Sequence, residues 1–142
     1  MMTLAALDNL VKTGSLKAEA PDQREFDGML RAARRGLEDA NVAGLSGEGR
    51  FSLAYSAAHA VALAALRWHG YRSESRYLVF QCLQHTVGLG ATKWRVLDLC
   101  HRHRNLAEYE GHLDIPPQLI EELLVVTGEV IALVGELGRG SA

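Results

Sequence analysis

The sequence has few cysteines, few aromatic residues and almost no net charge. Its two cysteines, Cys82 and Cys100, form no closely spaced pairs, so we interpret them as reduced thiols rather than as a disulfide framework. A formal net charge of −2 argues against global attraction to nucleic acid or membranes, so any basic surface must be local. Aromatic residues make up only 6% of the chain, and alanine and leucine supply most of the apolar content, which favours helices over a β-sandwich.

Long apolar runs are also missing. The longest internal run, Ala57 to Leu66, is interrupted by His59 and is too short to cross a bilayer. Asp8 and Lys12 interrupt the apolar N-terminal stretch, which argues against a secretory signal. The sequence therefore predicts a soluble, cytoplasmic protein that makes no contact with a membrane.

The apolar spacing predicts an all-α protein. At 142 residues the chain fits one domain, and no repeat or linker divides it. The predicted helical segments are Thr3–Lys12, Pro21–Val42, Arg50–His69, Ser73–Val87, Thr92–Tyr109 and a last segment from about Pro116 to Leu137. Short connections imply antiparallel neighbours, so we predict an antiparallel up-and-down helical bundle of about five to six helices over residues 1–142. Residues 1–20 are predicted to form an N-terminal extension and residues 138–142 a flexible tail.

The third segment, Arg50–His69, is apolar on nearly all sides and rich in alanine. Such a helix is usually the buried centre of its bundle, because small side chains let neighbouring helices approach closely. Arg67 and His69 complement the negative C-terminal end of this helix, and Gly70 is predicted to end it.

The stretch from Lys93 to His112 concentrates basic residues in an otherwise slightly acidic chain. Between Lys93 and Arg104, four cations stand against Asp98 alone, which leaves a local charge of about +3 with the histidines neutral. A solvated basic helix face explains this pattern, and charge alone favours that explanation. A surface for an anionic ligand is the alternative.

The helical projection places Arg104 at the edge of an apolar arc, with His101 and Glu108 one turn before and after it. The residues of the arc are Val96, Leu99, Cys100, Leu106 and Ala107. His103 lies inside the arc, where a lone histidine is more typical of packing or of an interface than of a ligand. Arg104 either pairs with Glu108 or is presented to an anion such as phosphate. The spacing leaves both possibilities open.

Metal and cofactor sites are not indicated. His101 and His103 are two residues apart, so they point in different directions from a helix, and Cys82 and His85 have no visible third or fourth ligand. The sequence has no glycine-rich loop of the P-loop or dinucleotide-binding type. It therefore predicts no metal and no cofactor.

Two stretches resemble HEPN domains, a family of helical bundles. RFSLAYSAAHAVALAALRWHGYR (Arg50–Arg72) resembles their central, alanine-rich helix and the turn that follows it. RNLAEYE (Arg104–Glu110) resembles a later helix, which carries an arginine, often followed by a polar residue, and a histidine after about four to six intervening residues. The resemblance covers the chain from about Asp22 to Val134.

The resemblance implies a partner class and two possible activities. HEPN domains commonly dimerise and bring two Arg…His motifs together in one cleft. Active members are metal-independent endoribonucleases, often toxins of toxin–antitoxin systems or defence effectors. Members that have lost the motif act as binding partners, notably of nucleotidyltransferase domains.

On this resemblance, Arg104 is the motif arginine and Asn105 is the polar residue after it. Tyr109 stands at the first position where the family histidine could fall, and His112 lies beyond the family spacing. Tyrosine is a poor general base near neutral pH, so the motif is degenerate and a non-catalytic role is favoured.

Arg95 and His101 also meet the family spacing. The residue after Arg95 is the apolar Val96, whereas the family often has a polar residue there. This second pair therefore ranks below the motif that begins at Arg104.

Three hypotheses follow. The first is a HEPN-type module that binds nucleotide or RNA phosphate, as a homodimer or beside a nucleotidyltransferase or antitoxin partner. Its expected ligand-binding residues are His101, Arg102, Arg104, Asn105, Glu108 and Tyr109. The second is a metal-independent endoribonuclease in which Arg104, Tyr109 and His103 are catalytic. The third is a helical protein-interaction scaffold in which the residues around Arg104 only stabilise the bundle.

Overall fold

A computed structural model describes the backbone of residues 2–140 and the side chains of residues 5–139. Over this range the chain forms seven helices and two short strands, and the predicted all-α helical bundle is confirmed. In chain order the elements are α1 (Met2–Lys12), β1 (Lys17–Ala18), α2 (Gln23–Ala40), α3 (Gly47–His69), β2 (Tyr71–Arg72), α4 (Arg76–Gln81), α5 (Leu83–Thr86), α6 (Ala91–Glu110) and α7 (Pro117–Gly140). The two strands pair antiparallel.

Capping side chains set the positions where α2 and α3 begin. Asp22 accepts hydrogen bonds from the backbone N–H groups of Arg24 and Glu25, at 2.9 and 3.2 Å. Ser46 accepts one from the backbone of Gly49 at 3.0 Å. Each cap satisfies N–H groups that have no partner within the helix, so both helices start close to the predicted positions.

The predicted segment Ser73–Val87 is divided into two short helices. α4 ends at Gln81, and the carbonyl of Cys82 accepts hydrogen bonds from both His85 and Thr86, at 2.8 and 2.9 Å. The first of these bonds closes a tighter turn than an α-helix does, which separates α5 from α4.

The prediction that the alanine-rich segment is the centre of the bundle is confirmed. α3 packs against α2 and α7, and its buried alanines are Ala54, Ala57, Ala58, Ala62, Ala64 and Ala65. On α2, a Cβ added at Gly36 would lie 3.2 Å from the Cβ of Ala57. The two helices therefore approach more closely than larger side chains would permit. Within the described residues, no helix combines the length and apolarity needed to cross a membrane.

The segment predicted as an N-terminal extension packs onto the bundle. Leu7 and Leu16 are buried, and the hydroxyl of Tyr71 donates a hydrogen bond of 2.5 Å to Asp8. α1 lies against α5. The apolar side of α1 is thus part of the core.

The C-terminal helix is longer than predicted. α7 continues to Gly140, so residues 138–140 of the predicted tail are helical, while residues 141 and 142 lie outside the described part of the chain. A Cβ added at Gly138 would lie 3.2 Å from the ring of Phe26. The end of α7 therefore rests against α2, and this packing continues the helix.

Arg67 connects the end of α3 to the segment that precedes α2. Its side chain is 2% exposed, and its Nε lies 2.5 Å from Oε1 of Glu25. Its terminal nitrogens donate to the backbone oxygens of Glu19 and Ala20, at 2.9 and 2.6 Å. Arg72 binds the other carboxylate oxygen of Glu25 at 2.5 Å. The arginine predicted only to complement a helix end therefore also holds two distant segments together.

The acid sensitivity of the fold is expected to depend on Glu25. Hydrogen bonds from Arg67, and then from Arg72, lower the pKa of the Glu25 carboxyl from its usual 4.5. A depressed carboxyl pKa contributes stability above the unfolded pKa, and this contribution is lost as the pH falls through the folded pKa. The difference in free energy of unfolding between wild type and Glu25→Gln should therefore be constant near neutral pH and shrink below about pH 4.5. Urea unfolding at a series of pH values measures it, and a difference that stays constant down to about pH 3 would contradict the assignment.

Candidate functional site

The buried face of α6 differs from the predicted one. Leu97 and Cys100 are buried, whereas Leu99 and Leu106 are 46% and 51% exposed. The predicted apolar arc is therefore wrong in its orientation. α6 packs against α4 and α7, and a polar cleft beside α3 occupies the side that the projection treated as the edge of the arc.

Beside this cleft, and buried beneath the surface, lies Tyr55 of α3, a tyrosine only 1% exposed. Its hydroxyl lies 3.1 Å from Nδ1 of His101, and Nδ2 of Asn105 lies 3.0 Å from Nε2 of the same histidine. The guanidinium groups of Arg104 and Arg76 lie 5.4 and 5.8 Å from the centre of the Tyr55 ring. We call these five residues the tyrosine cluster. They come from α3, α4 and α6.

The hydrogen bonds of His101 define where its proton lies. The amide nitrogen of Asn105 donates, so Nε2 of His101 accepts. The ring proton then lies on Nδ1 and is donated to the hydroxyl oxygen of Tyr55. His101 is thus held as a neutral ring between a buried hydroxyl and an exposed amide.

The two arginines of the cluster carry charge that no carboxylate neutralises. Among the described residues, neither Arg76 nor Arg104 forms an ion pair. The pair between Arg104 and Glu108, one of the two possibilities that the spacing left open, is not formed, because the Arg104 guanidinium lies beside the Tyr55 ring instead. Each guanidinium is within the distance at which a ring face attracts a cation. The aromatic ring therefore holds both arginines without removing their charge.

Tyr55, His59 and His101 are uncharged near neutral pH. Burial raises the pKa of Tyr55 above its usual value, and the positive charges of Arg76 and Arg104 only partly offset this effect. Burial also lowers the pKa values of His101 and of His59, which lies one turn further along α3. The tyrosine thus keeps its proton and the histidines are neutral. Within the cluster, the charge is therefore that of Arg76 and Arg104.

Arg104 also lines an open groove between α6 and the first turns of α3, with a volume of about 270 Å³. Glu48, Ser52, Glu108 and His112 line the same groove, so two carboxylates share it with Arg104. Gly111 adopts a positive φ of 78°, which ends α6 and turns the chain so that His112 comes back beside the helix. His112, which lies beyond the spacing of the family motif, therefore shares a groove with Arg104.

Three of the other predicted site residues lie outside the tyrosine cluster. Tyr109 is 91% exposed, because five residues along a helix rotate a side chain by about 140° relative to Arg104. Arg102 binds Asp98 at 3.0 Å on the outer side of α6. His103 lines a second groove, which lies between α6 and α7.

The second-ranked motif pair is not brought together either. Arg95 lines the groove between α6 and α7, whereas His101 belongs to the tyrosine cluster on another side of the helix. No group of three or more His, Cys, Asp or Glu side chains within residues 5–139 is arranged to hold a metal ion.

Sequence reasoning did not identify Tyr55 or Arg76. One signal was present for Tyr55, because Tyr55 and His59 are polar side chains one turn apart on a helix that is otherwise mostly small and apolar. Arg76 follows the capping residue of a six-residue helix, and nothing in its sequence surroundings distinguishes it from a solvated surface arginine.

Comparisons with known proteins add no relative. No family model matches the chain. No curated protein matches it either. Membership of the HEPN family therefore stays a prediction that depends on the two resembling stretches.

Proposed function

We propose that this chain is a HEPN-type module that binds the phosphate of a nucleotide or of RNA at the tyrosine cluster, without cleaving it. The observation that carries the proposal is the packing of Arg76 and Arg104 on Tyr55 without a carboxylate partner. Both guanidinium groups lie 5.8 Å or less from the centre of one ring, so their positive charges repel each other and an anion bound nearby would relieve that repulsion. The homodimer and the nucleotidyltransferase or antitoxin partner stay predictions of the sequence.

The chemistry of the cluster suits a phosphate. An arginine presents several N–H donors in a planar fork that matches phosphate oxygens. Asn105 is exposed, and its amide nitrogen has a second hydrogen to donate. His101 is neutral and already hydrogen-bonded on both ring nitrogens. The cluster therefore offers donors for an anion, while its histidine is occupied in holding Tyr55 and Asn105.

Replacing Arg104 by alanine is expected to weaken binding of a 5′-phosphorylated single-stranded RNA about 10- to 150-fold, the range for a lost hydrogen bond to a charged group. The salt dependence of binding should also become shallower by about one counterion. Fluorescence anisotropy with a labelled oligonucleotide at several KCl concentrations measures both quantities. Arg104→Lys keeps the charge but not the fork, and we expect it to restore the salt slope but only part of the affinity.

Arg31→Ala is the matched control, since Arg31 is an exposed arginine on α2 and the change in net charge is the same. If Arg31→Ala and Arg104→Ala weaken binding equally, the effect is one of overall charge and the proposed site is wrong. If the folded wild-type protein binds neither RNA nor a nucleotide at low salt, the proposed function itself is wrong.

Metal-independent RNA cleavage is the second candidate function, favoured by the two histidines beside Arg104. His101 belongs to the tyrosine cluster, and His112 lines the groove that Arg104 also lines. Incubating RNA with the same proteins in EDTA tests this candidate. Cleavage that is lost in Arg104→Ala, and in either His101→Ala or His112→Ala, would replace the binding proposal by a ribonuclease. Intact RNA in the presence of measured binding would favour the non-catalytic module.

A further inference from the structure

Tyr77 is a large aromatic residue that stays 42% exposed at the border of the tyrosine cluster. It follows Arg76 directly on α4. Its ring centre lies 5.8 Å from that of His101, at an interplanar angle of 45°. It also lies 6.4 Å from the ring of Trp94, nearly edge-on at 70°. The rings of His101 and Trp94 on α6 thus contact Tyr77, whose side chain is still partly exposed to solvent.

We propose that Tyr77 is a stacking position for one unpaired base of a single-stranded RNA whose phosphate is bound by Arg76 and Arg104. This inference rests on the proposed function. His101 is the link between the two subsites, because it donates to Tyr55 beneath the arginines and contacts the Tyr77 ring on its other side. A phosphate at the arginines therefore leaves the attached nucleoside close to an exposed aromatic ring.

The geometry favours an unpaired base over a duplex. An aromatic side chain stacks on a base only when the face of that base is free, as it is in single strands, loops and ends. Stacking tolerates every base, because each base presents a π-face. Arg76, which precedes Tyr77 in the chain, and Asn105, which is hydrogen-bonded to His101, can satisfy the phosphate and the sugar. The ligand class is thus single-stranded RNA with little sequence preference.

The test uses two 5′-phosphorylated oligonucleotides of equal length, one with bases and one abasic at every position. Tyr77→Ala is expected to weaken binding of the first on the order of 5- to 150-fold and to leave binding of the abasic oligomer unchanged. Tyr77→Phe keeps the ring and should bind both as wild type does. Val125→Ala, which shortens an exposed apolar side chain of α7, is the control for a general loss of surface contact.

Comparing Arg104→Ala with Tyr77→Ala on both oligomers tests this inference separately from the proposed function. If Arg104→Ala weakens binding of both oligomers while Tyr77→Ala changes neither, the phosphate site stands and the stacking position is wrong. If Arg104→Ala has no effect on either oligomer, the proposed function is wrong, and so is the stacking position that rests on it.

Trp94 supplies a second measurement that needs no change at Tyr77. In a Trp68→Phe background, Trp94 is the one tryptophan left in the sequence, and a base stacked on the neighbouring Tyr77 should quench its fluorescence. We expect quenching by the oligomer with bases and none by the abasic oligomer. Equal quenching by both, or by neither while both bind, would overturn the inference even if Tyr77→Ala does not fold.

Discussion

Replacing Arg67 by methionine is expected to lower the free energy of unfolding by about 3 kcal/mol, because three hydrogen bonds worth about 1 kcal/mol each are lost. The side chain is 2% exposed, and its Nε contacts Glu25 at 2.5 Å. It also donates to the backbone oxygens of Glu19 and Ala20. Methionine fills part of the space but donates nothing, so two backbone carbonyls lose this donor and the Glu25 carboxylate keeps only Arg72.

Arg72→Met is the matched control for this prediction. Arg72 binds the same two carboxylates, at 2.9 Å for Glu19 and 2.5 Å for Glu25, but its side chain is 28% exposed. Water can solvate the carboxylates that it leaves, so the expected loss is about 1 kcal/mol or less. Urea unfolding followed by circular dichroism compares the two variants. Equal losses would show that burial of Arg67 is not what makes its contacts stabilising.

The contrast between Arg67 and the helices shows what sequence could and could not predict. Helix positions followed from apolar spacing, and caps such as Asp22 and Ser46 are local signals, so the bundle was predictable. The partners of Arg67 come from residues more than 40 positions earlier in the chain, since Glu25 is 42 positions away. No helical projection contains that information. The role of Arg67 at the helix end was visible, but its role between segments was not.

The candidate site shows the same difference between local features, which the sequence predicts, and tertiary contacts, which it does not. The projection of α6 correctly placed His101 and Arg104 one turn apart, because that spacing is a property of the helix alone. The rotation of α6 against its neighbours depends on tertiary packing, so the exposed Leu99 was assigned to the apolar arc. Tyr55 and Arg76 joined the site only when α3 and α4 were packed beside α6. A short motif can therefore identify one residue of such a site, but identifying the residues that contact it requires the structure.

Replacing Tyr55 is the change expected to affect both the fold and the site. The ring is 1% exposed and packs against Phe51 and Phe80, with centroid distances of 5.7 and 5.5 Å. Tyr55→Ala should therefore lower the free energy of unfolding by about 3–5 kcal/mol, as large-to-small changes of buried aromatic residues do. Tyr55→Phe keeps the packing but removes the hydroxyl that His101 and Arg76 contact, so a loss of about 1–2 kcal/mol is expected.

Tyr55→Phe and Tyr55→Leu, which both fill most of the buried volume, separate the contribution of the hydroxyl to binding from that of the ring face. Tyr55→Phe preserves the ring face under Arg76 and Arg104, so phosphate affinity should stay within about threefold of wild type, a change well below the effect of losing an arginine contact. Tyr55→Leu fills most of the volume but offers the arginines no ring face, and the loss of about 1–2 kcal/mol of cation–π attraction should reduce affinity by about 5- to 30-fold. Anisotropy with the phosphorylated RNA measures both, after urea unfolding has shown that each variant is folded. If Tyr55→Leu binds as tightly as Tyr55→Phe, the ring does not position the arginines, and Arg76 and Arg104 act as independent surface charges.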